Sequence, residues 1–309
     1  KMKADAVIMA AGIRPNTAFL QNSGLKMAKN GALLVDDTMA TNDPDVYAVG
    51  DCAVHKNRLT GEYSWEPLGS VAAVTGRVCA RVLAGEKAAY PGVLGTTLLK
   101  TCGTNVAKTG LSQAEAEHAG WEAVSSTIAV DDKVPYYPGA SVFIIRIVAE
   151  KKTHRLLGIQ AAGKGAVDKI VDIGVTAISH AATLESLQCM DLSYAPPFST
   201  ALHPLMQAVN VLLNKENGRM EGVGISGFRR LPEDTLYLDV MKTAHIQQYQ
   251  SMPVKTIHRE LEGVSKNRPI ALVCEKGKQA YLAQNKLRQY GYTNTVVLEG
   301  GVIFNNIEE

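Results

Sequence analysis

TNDPDVYAVGDCA, at residues 41–53, is the most informative stretch of this 309-residue chain. The apolar run at residues 46–49 contains β-branched residues and has the composition of a buried strand. Gly50 and Asp51 follow directly, at the carboxyl end of that predicted strand, where doubly wound α/β folds bind ligands. Glycine allows close approach to the backbone, and a carboxylate accepts hydrogen bonds from sugar-like hydroxyls. The stretch therefore predicts a ligand site in an α/β domain.

The order T-x-x-P-x-V-Y-A-x-G-D resembles the second flavin-contacting segment of the pyridine nucleotide–disulfide oxidoreductases. In that family the aspartate of this segment, here Asp51, holds the ribityl part of FAD. The family places the segment after two complete nucleotide-binding units, whereas here it begins at residue 41 and no G-x-G-x-x-G precedes Gly50. The sequence is therefore expected to be the C-terminal part of a larger enzyme that uses FAD and NAD(P)H.

Two flanking segments resemble the same family. DAVIMAAGIRPN, at residues 5–16, resembles the exit from the NADH-binding domain and includes a strand predicted over residues 6–11. A further strand is predicted over residues 32–35. EPLGS, at residues 66–70, leads into a helix predicted over residues 71–84, whose start lies beside the flavin ring in the family. A helix N-terminus offers free N–H groups to the electron-rich edge of a flavin, although the same helix could simply pack on a sheet. The cofactor-binding residues implied by the resemblance are Gly12, Gly50, Asp51, Leu68, Gly69, Ser70 and Ala72.

Composition limits the class of protein. A hydrophobic fraction of 46% and a net charge of +2 are typical of a soluble globular chain and give no indication of nucleic-acid binding. No apolar run approaches the ~20 residues that cross a bilayer, and the apolar run near the N-terminus lacks a signal-peptide cleavage site. Five cysteines without a C-x-x-C favour a reducing, cytoplasmic setting. Seven scattered histidines give no metal-ligand spacing, so no metal site is expected.

The middle of the chain, residues 91–220, alternates predicted strands and helices. Ser112 and Glu115 are spaced as a capping box. The predicted strands span residues 96–101, 142–148 and 156–162, and the predicted helices span residues 112–119, 166–180 and 204–215. This part resembles the α+β interface domain through which two subunits of the disulfide oxidoreductases pair, so a homodimer is expected.

Three passages resemble the CoA-disulfide reductase and NADH oxidase branch of the family, which works with a single redox cysteine. They are YYPGA at 136–140, GKGAVDK at 163–169 and DLSYAPPFS at 191–199. By this resemblance Tyr194, and either Tyr136 or Tyr137, reach the active site of the partner subunit; the alternative for each is a packing tyrosine. Ala73 and the sequence at 201–203 depart from the CoA-handling pattern and weaken a CoA disulfide as the substrate.

GVGISG, at residues 222–227, matches G-x-G-x-x-G letter for letter. A dinucleotide site needs a strand before this motif and a helix after it. Here a charged, glycine-containing stretch precedes it, and FRRLP follows it at residues 228–232. We therefore interpret it as an interdomain linker.

The C-terminal part resembles the rhodanese (sulfurtransferase) domain. Strands are predicted at residues 236–240, 269–273 and 296–298, and CEKGKQAY, at 274–281, enters a helix predicted to end near residue 289. Cys274 occupies the nucleophile position of that family, in a loop where backbone N–H groups and a helix dipole are expected to lower its pKa. Lys276 and Lys278 add positive charge for an anionic sulfur donor, and Gly277 completes the loop. The alternative is a buried, inert cysteine.

Two residues depart from the rhodanese pattern. Met241 and Glu275 stand where arginines are usual, and the carboxylate of Glu275 opposes thiolate formation by about 1 kcal/mol in a partly solvated site. Slow or substrate-specific sulfur transfer is therefore expected.

Together these features predict an α/β and α+β chain of three parts: a remnant of the Rossmann-like NADH- and FAD-binding domains at 1–90, a dimerisation domain at 91–220 and a rhodanese-like domain at 221–309. The predicted activity is NAD(P)H-driven, FAD-dependent reduction of a disulfide, persulfide or polysulfide, with Cys274 carrying sulfur. The expected catalytic residues are Cys274, Lys276, Gly277, Lys278, Tyr194 and Tyr136. The fragment alone is not expected to reduce anything. Two alternatives remain: a stand-alone sulfurtransferase, and a non-catalytic dimerising sulfur carrier or docking module.

Overall fold

The computed structural model describes residues 2–242 and 246–307, and the chain separates into two compact units, Lys1–Gly95 and Thr96–Glu309. Within the described ranges, no helix is both long and apolar enough to cross a membrane.

The N-terminal unit contains a small three-stranded sheet and one long helix. Its elements are β1 (Leu33–Leu34), β2 (Ala53–Lys56), β3 (Tyr63–Ser64) and α1 (Gly69–Leu83), with a 3-10 turn at Gly50–Cys52 and another at Ala18–Leu20. Strands β1 and β2 run parallel, and β3 pairs with β2 in the antiparallel sense. The structure confirms the strand predicted near residue 33 and the helix predicted over 71–84, which begins two residues earlier.

Two predicted strands of this unit are wrong. Residues 6–11 form no strand, and their apolar side chains are exposed, with Ile8 exposed over 90% of its surface. A parallel strand needs a neighbour for its backbone groups, and residues 6–11 pair with none of the described residues. Residues 46–49 are extended but form only a single bridge, between Ala40 and Tyr47. The strand of this region is β2, which follows Gly50 and Asp51 rather than preceding them.

The first part of the second unit, called here the antiparallel-sheet domain, is a five-stranded sheet with four helices. Its elements are β4 (Thr97–Thr101), β5 (Thr104–Gly110), α2 (Gln113–His118), β6 (Ala123–Asp131), β7 (Val142–Glu150), β8 (Leu156–Gly163), α3 (Val167–Ser179), α4 (Leu184–Gln188) and α5 (Pro204–Glu216). The strand order is β4-β5-β8-β7-β6, and every neighbouring pair is antiparallel. Helix α3 packs on β5 and β8, and α5 packs on β6 and β7. In this strand order β4 and β6 are the two edge strands.

Every strand and helix predicted for this domain is present, and three further elements were not predicted. The capping box of α2 is confirmed, since Ser112 and Glu115 exchange both of its hydrogen bonds. Strands β5 and β6 and helix α4 are the additions. The positions of the domain boundaries stay a prediction.

The second part, called here the parallel-sheet domain, is a five-stranded sheet in which all strands run parallel. Its elements are β9 (Gly222–Val223), α6 (Ile225–Phe228), β10 (Leu236–Asp239), β11 (Gln250–Ser251), β12 (Ile270–Val273), α7 (Lys278–Gln289), β13 (Thr295–Leu298) and α8 (Gly301–Phe304), with a 3-10 turn at Val254–Thr256. The strand order is β11-β10-β12-β13-β9. Strand β12 is central and completely buried, as expected for an apolar strand of a parallel sheet.

The linker interpretation of residues 222–227 is wrong. Gly222 and Val223 pair in parallel with Val297 and Leu298 of β13, so the segment is the edge strand of this sheet, and α6 follows it. A two-residue strand is too short to produce a recognisable period in the sequence.

Candidate active site

Cys274 lies at the carboxyl end of the central strand β12, where the chain turns into α7. The turn, called here the Cys274 loop, comprises residues 274–277. Gly277 is the residue before α7, at φ +93°, a left-handed conformation that favours glycine. Gly277 has no side chain that could cap α7, so the first N–H groups of the helix are open to the side chain of Cys274. The position expected for Cys274, between a strand and a helix, is confirmed, and its role as a nucleophile stays a prediction.

The sulfur of Cys274 accepts two backbone hydrogen bonds. Gly277 N–H donates to Sγ at 3.1 Å and Ala280 N–H donates at 3.3 Å. The side chain is also only 2% exposed, and burial of a thiol disfavours its charged form. Burial raises the pKa of the Cys274 thiol above its ordinary value, and the N–H groups of the loop and of the first turn of α7 lower it by less. The prediction of a lowered pKa is therefore wrong, although the donors behind it are present.

Residues 301–303, which follow β13, pack against the backbone of the Cys274 loop. Val302 N–H donates to the Cys274 carbonyl at 3.1 Å, and Ile303 N–H donates to the Glu275 carbonyl at 3.0 Å. Gly301, at φ +60°, approaches so closely that a Cβ there would lie 2.3 Å from the Glu275 carbonyl oxygen and 2.5 Å from that of Cys274. Only glycine fits at this position, so the loop and this segment are packed backbone to backbone.

A cavity of about 650 Å³ opens in front of Cys274. Four lysines line it, and Glu275 is the carboxylate on its wall. The lysines are Lys242, Lys255, Lys276 and Lys278. The excess of positive charge suits an anionic ligand. Lys242 and Lys255 were not predicted, because they lie far from Cys274 in sequence. Lys242 is the third residue after β10, and a basic residue so near the end of a strand was the available signal.

The two lysines predicted from the sequence differ in their surroundings. Lys276 Nζ lies 2.7 Å from Asp131 Oδ1, at the end of β6 in the antiparallel-sheet domain. Lys278 is exposed and makes no ion pair with the part of the chain that the structure describes. Asp131 offsets the charge of Lys276. Of the two lysines predicted to attract an anionic donor, Lys278 therefore contributes more positive charge to the cavity than Lys276.

A second cavity, of about 300 Å³, lies between the two domains of this unit. Strand β6 and helix α5 form one wall, and the start of α7 with Glu299 and Gly300 forms the other. Lys276 and Lys278 line both cavities, so the Cys274 loop separates the two spaces.

The predicted flavin residues of the N-terminal unit come together around the start of α1. Gly50 has φ +69°, and a Cβ there would lie 3.3 Å from the Ala72 Cβ. Asp51 is exposed, and its backbone carbonyl accepts a hydrogen bond from the Trp65 ring N–H at 2.9 Å. Helix α1 begins at Gly69 and Ser70, and Leu68 before them provides no side-chain cap. The turn that contains Gly50 and Asp51 therefore packs against the first turn of α1, with the Asp51 side chain exposed.

The remaining predicted residues lie outside both arrangements. Gly12 has φ +85° in an exposed segment, with open space around its Cα. Tyr136, in the connection from β6 to β7, is 79% exposed, and Tyr194, in the segment after α4, is 48% exposed. Neither tyrosine lines the Cys274 cavity. Their predicted roles stay predictions.

Family models match three parts of the chain. The model described as pyridine nucleotide-disulphide oxidoreductase matches residues 1–72, the dimerisation domain of that family matches residues 98–206, and the rhodanese-like domain matches residues 230–302.

Relatives and solved structures agree with these matches. A Pyrococcus furiosus protein named NAD(P)H sulfur oxidoreductase (CoA-dependent) is 36% identical over 68% of this chain and 47% of its own length. The structure of an NAD-dependent persulfide reductase from A. fulgidus superposes with a TM-score of 0.90 at 32% identity, covering 97% of this chain and 56% of that one. An FAD-dependent pyridine nucleotide-disulphide oxidoreductase from Desulfovibrio vulgaris superposes with a TM-score of 0.57 at 29% identity, covering 70% of this chain and 50% of that one.

The chain spans about half the length of the curated relatives it matches. The family expected from the sequence is confirmed by domain matches, by relatives and by superposed structures. The chain belongs to the pyridine nucleotide–disulfide oxidoreductases, in a form that carries a rhodanese-like domain.

Proposed function

We propose that Cys274 carries sulfane sulfur within an FAD-dependent, NAD(P)H-driven reductase of persulfides, polysulfides or disulfides. One observation carries the proposal: a thiol that accepts two N–H hydrogen bonds stands at a cavity of about 650 Å³ lined by four lysines. The names of the Pyrococcus furiosus and A. fulgidus relatives support sulfur compounds as substrates.

The sulfur-transfer step follows from this geometry. The Cys274 thiolate attacks the outer sulfur of an anionic donor such as thiosulfate, a new S–S bond forms at Sγ, and the remainder of the donor leaves with the electron pair of the broken bond. The N–H groups of Gly277 and Ala280 stabilise the anionic sulfur, and Lys278 attracts the donor. An acceptor thiolate then attacks the terminal sulfur and regenerates Cys274.

The residues of the N-terminal unit fit a flavin. The exposed carboxylate of Asp51 can accept hydrogen bonds from the ribityl hydroxyls, and the free N–H groups at Gly69 and Ser70 can contact the pyrimidine edge. Bound FAD supplies the two-electron relay between NAD(P)H and sulfur. No G-x-G-x-x-G motif precedes Gly50 in this sequence, so reduction is proposed for a protein that supplies the glycines that bind FAD and NAD(P)H.

A homodimer is part of the proposal. Residues 98–206 match the dimerisation domain, and the exposed side chains of that region include large apolar ones. Phe198 is 73% exposed, and Tyr194 and Leu202 lie close to it in sequence. We propose that this surface meets a second copy, with Tyr194 and Tyr136 directed to the partner's active site. All five cysteines are free thiols, which fits a reducing cytoplasm.

The proposal is tested by intact mass after incubation with thiosulfate or polysulfide. The wild type should gain one sulfur atom, and Cys274→Ala should gain none. Cys189→Ala, which removes an exposed thiol, serves as the matched control and should behave as the wild type. If Cys274→Ala gains sulfur as readily as the wild type, the sulfur-carrier proposal fails. If neither protein gains sulfur, the parallel-sheet domain is better explained as a docking module.

A further inference from the structure

Glu299 is a buried carboxylate that the proposed transfer step does not use. It follows β13 directly and is 6% exposed. Its Oε1 accepts a hydrogen bond from Lys215 Nζ at 2.6 Å, and its Oε2 accepts one from the Thr127 backbone N–H at 3.0 Å. Both partners belong to the antiparallel-sheet domain, so the side chain of Glu299 crosses from one domain to the other.

The contact satisfies the open edge of a sheet. Strand β6 is an edge strand, and among the described residues no strand lies next to its outward N–H and carbonyl groups. Glu299 accepts from the outward N–H of Thr127, and Lys215 donates to the outward carbonyl of Ser125 at 3.0 Å. Glu299 and Lys215 therefore satisfy backbone groups of β6 that a neighbouring strand would otherwise bond. Their ion pair also holds the end of β13 against β6.

The backbone after Glu299 is the support of the Cys274 loop. Gly300 and Gly301 follow Glu299, and Gly301 packs against the carbonyls of Cys274 and Glu275, which also accept from the next two N–H groups. Those carbonyls belong to the peptide groups that lead to Gly277, the donor to Sγ. A displacement of Glu299 therefore moves Gly300 and Gly301, then the peptide groups of Cys274 and Glu275, and so the N–H of Gly277 that donates to Sγ.

A second contact to the same strand acts on the other side of the loop. Lys276 is held by Asp131, which ends β6, four residues after Thr127. Strand β6 therefore contacts the Cys274 loop itself, through Asp131 and Lys276. It also contacts Glu299, which precedes the glycines that pack under the loop.

We propose that Glu299 is a positioning residue for Cys274, and that it sets the N–H donors around the sulfur by anchoring the Cys274 loop to strand β6 of the antiparallel-sheet domain. The meaning of this geometry for sulfur transfer rests on the proposed function. The geometry itself can be tested without it.

Two substitutions disturb Glu299 in different ways. Glu299→Gln places an amide N–H₂ group against one of two donors and so breaks one of the two hydrogen bonds. Gly222→Ala leaves the charge intact, but its Cβ would lie 2.9 Å from Glu299 Oε1 and displace the carboxylate. Glu122→Gln is the matched control, since it removes the carboxylate of an exposed ion pair with Lys151 and touches nothing in the loop.

The experiment is the pH–rate profile of alkylation of Cys274 by iodoacetamide, followed by peptide mass spectrometry. Misplaced N–H donors stabilise the Cys274 thiolate less. The midpoint of the pH–rate profile should therefore rise by about one pH unit in Glu299→Gln and in Gly222→Ala, and alkylation at pH 7 should be about tenfold slower. Glu122→Gln should superpose on the wild type. The midpoints of the profiles are compared, not the alkylation rates at high pH. A destabilised variant exposes Cys274 more often by local unfolding, which raises the rate of alkylation at every pH without moving the midpoint.

The outcomes separate the two proposals. Unchanged midpoints in both variants, with a lowered melting temperature, would mean that Glu299 is only structural and overturn the inference. Raised midpoints in a protein that takes up no sulfur from thiosulfate or polysulfide would support the positioning role and overturn the sulfur-carrier function instead.

Discussion

The thiol of Cys274 is under two opposing influences at the scale of one residue. Burial raises its pKa and the surrounding N–H groups lower it by less, so the folded protein holds the thiol proton more tightly than the unfolded chain does. Stability from this group is complete below the unfolded pKa of an ordinary cysteine and is lost as the pH rises through the higher folded pKa. We expect alkaline pH to destabilise the wild type more steeply than Cys274→Ala.

The measurement is the free energy of unfolding in urea across the alkaline range. The difference between the two proteins isolates Cys274, because Tyr90 and Tyr249, whose pKa values burial also raises, titrate in both. Parallel curves would show that the thiol has the same pKa folded and unfolded.

Gly277 is the residue whose backbone conformation makes the Cys274 loop. Its φ of +93° disfavours any Cβ, whereas the surrounding space is open, with the nearest atom 3.8 Å from an added Cβ. Gly277→Ala should therefore cost about 1–2 kcal/mol through backbone strain rather than through a clash, and it should slow sulfur uptake by Cys274. Gly227→Ala, in α6, adds the same methyl group at ordinary contact distances and should be nearly neutral. Urea unfolding and intact mass measure both effects.

Helix α5 has an unusual N-terminus, and it gives a prediction at the scale of one element. His203 precedes the helix and is buried, and its Nδ1 accepts a hydrogen bond from Leu205 N–H at 3.2 Å. Burial, followed by the charge of Lys169, lowers the pKa of His203 to about 4. Because the folded pKa is depressed, the stability from neutral His203 is present above pH 6.5 and is lost as the pH falls toward 4.

We expect His203→Asn to flatten this acid dependence. Asparagine caps a helix as well as histidine does here and has no titrating group, so the variant should lose about 3 kcal/mol less than the wild type between neutral pH and pH 4. Thermal unfolding followed by circular dichroism at several pH values tests this. Equal acid sensitivity in the two proteins would assign the loss to other groups.

The elements also show what the sequence could predict. Helices α1, α3 and α5 were predicted within about two residues, since each carries a long apolar period of its own. The end of α7 was also predicted, but the helix begins at Lys278, inside the stretch that was expected to precede it. Residues 6–11 were apolar enough for a strand but form none, because a strand depends on a neighbour that composition does not reveal. The position of Cys274 at the end of a buried strand was predicted from its loop. The contacts of Glu299 were not predicted, because its partners Thr127 and Lys215 are remote in sequence.

At the scale of the whole molecule, the ion pair between Lys215 and Glu299 ties two sheets into one compact unit. Glu299 is buried and Lys215 is about one-third exposed, so removing the lysine leaves an incompletely paired carboxylate at the domain contact. Lys215→Met should therefore lower the free energy of unfolding by about 2 kcal/mol, whereas Glu122→Gln, at an exposed pair, should change it by less than about 1 kcal/mol.

Two local probes report on the two sheets separately. Trp121 fluorescence, in a variant with Trp65→Phe, follows the antiparallel-sheet domain, and protection of Cys274 from alkylation follows the parallel-sheet domain. In the wild type both should change at the same urea concentration, because the contacts of Glu299 and Lys276 join the domains. In Lys215→Met, exposure of Cys274 should precede the change at Trp121. Coincident transitions in that variant would show that the domains are held together by apolar contacts rather than by the ion pair.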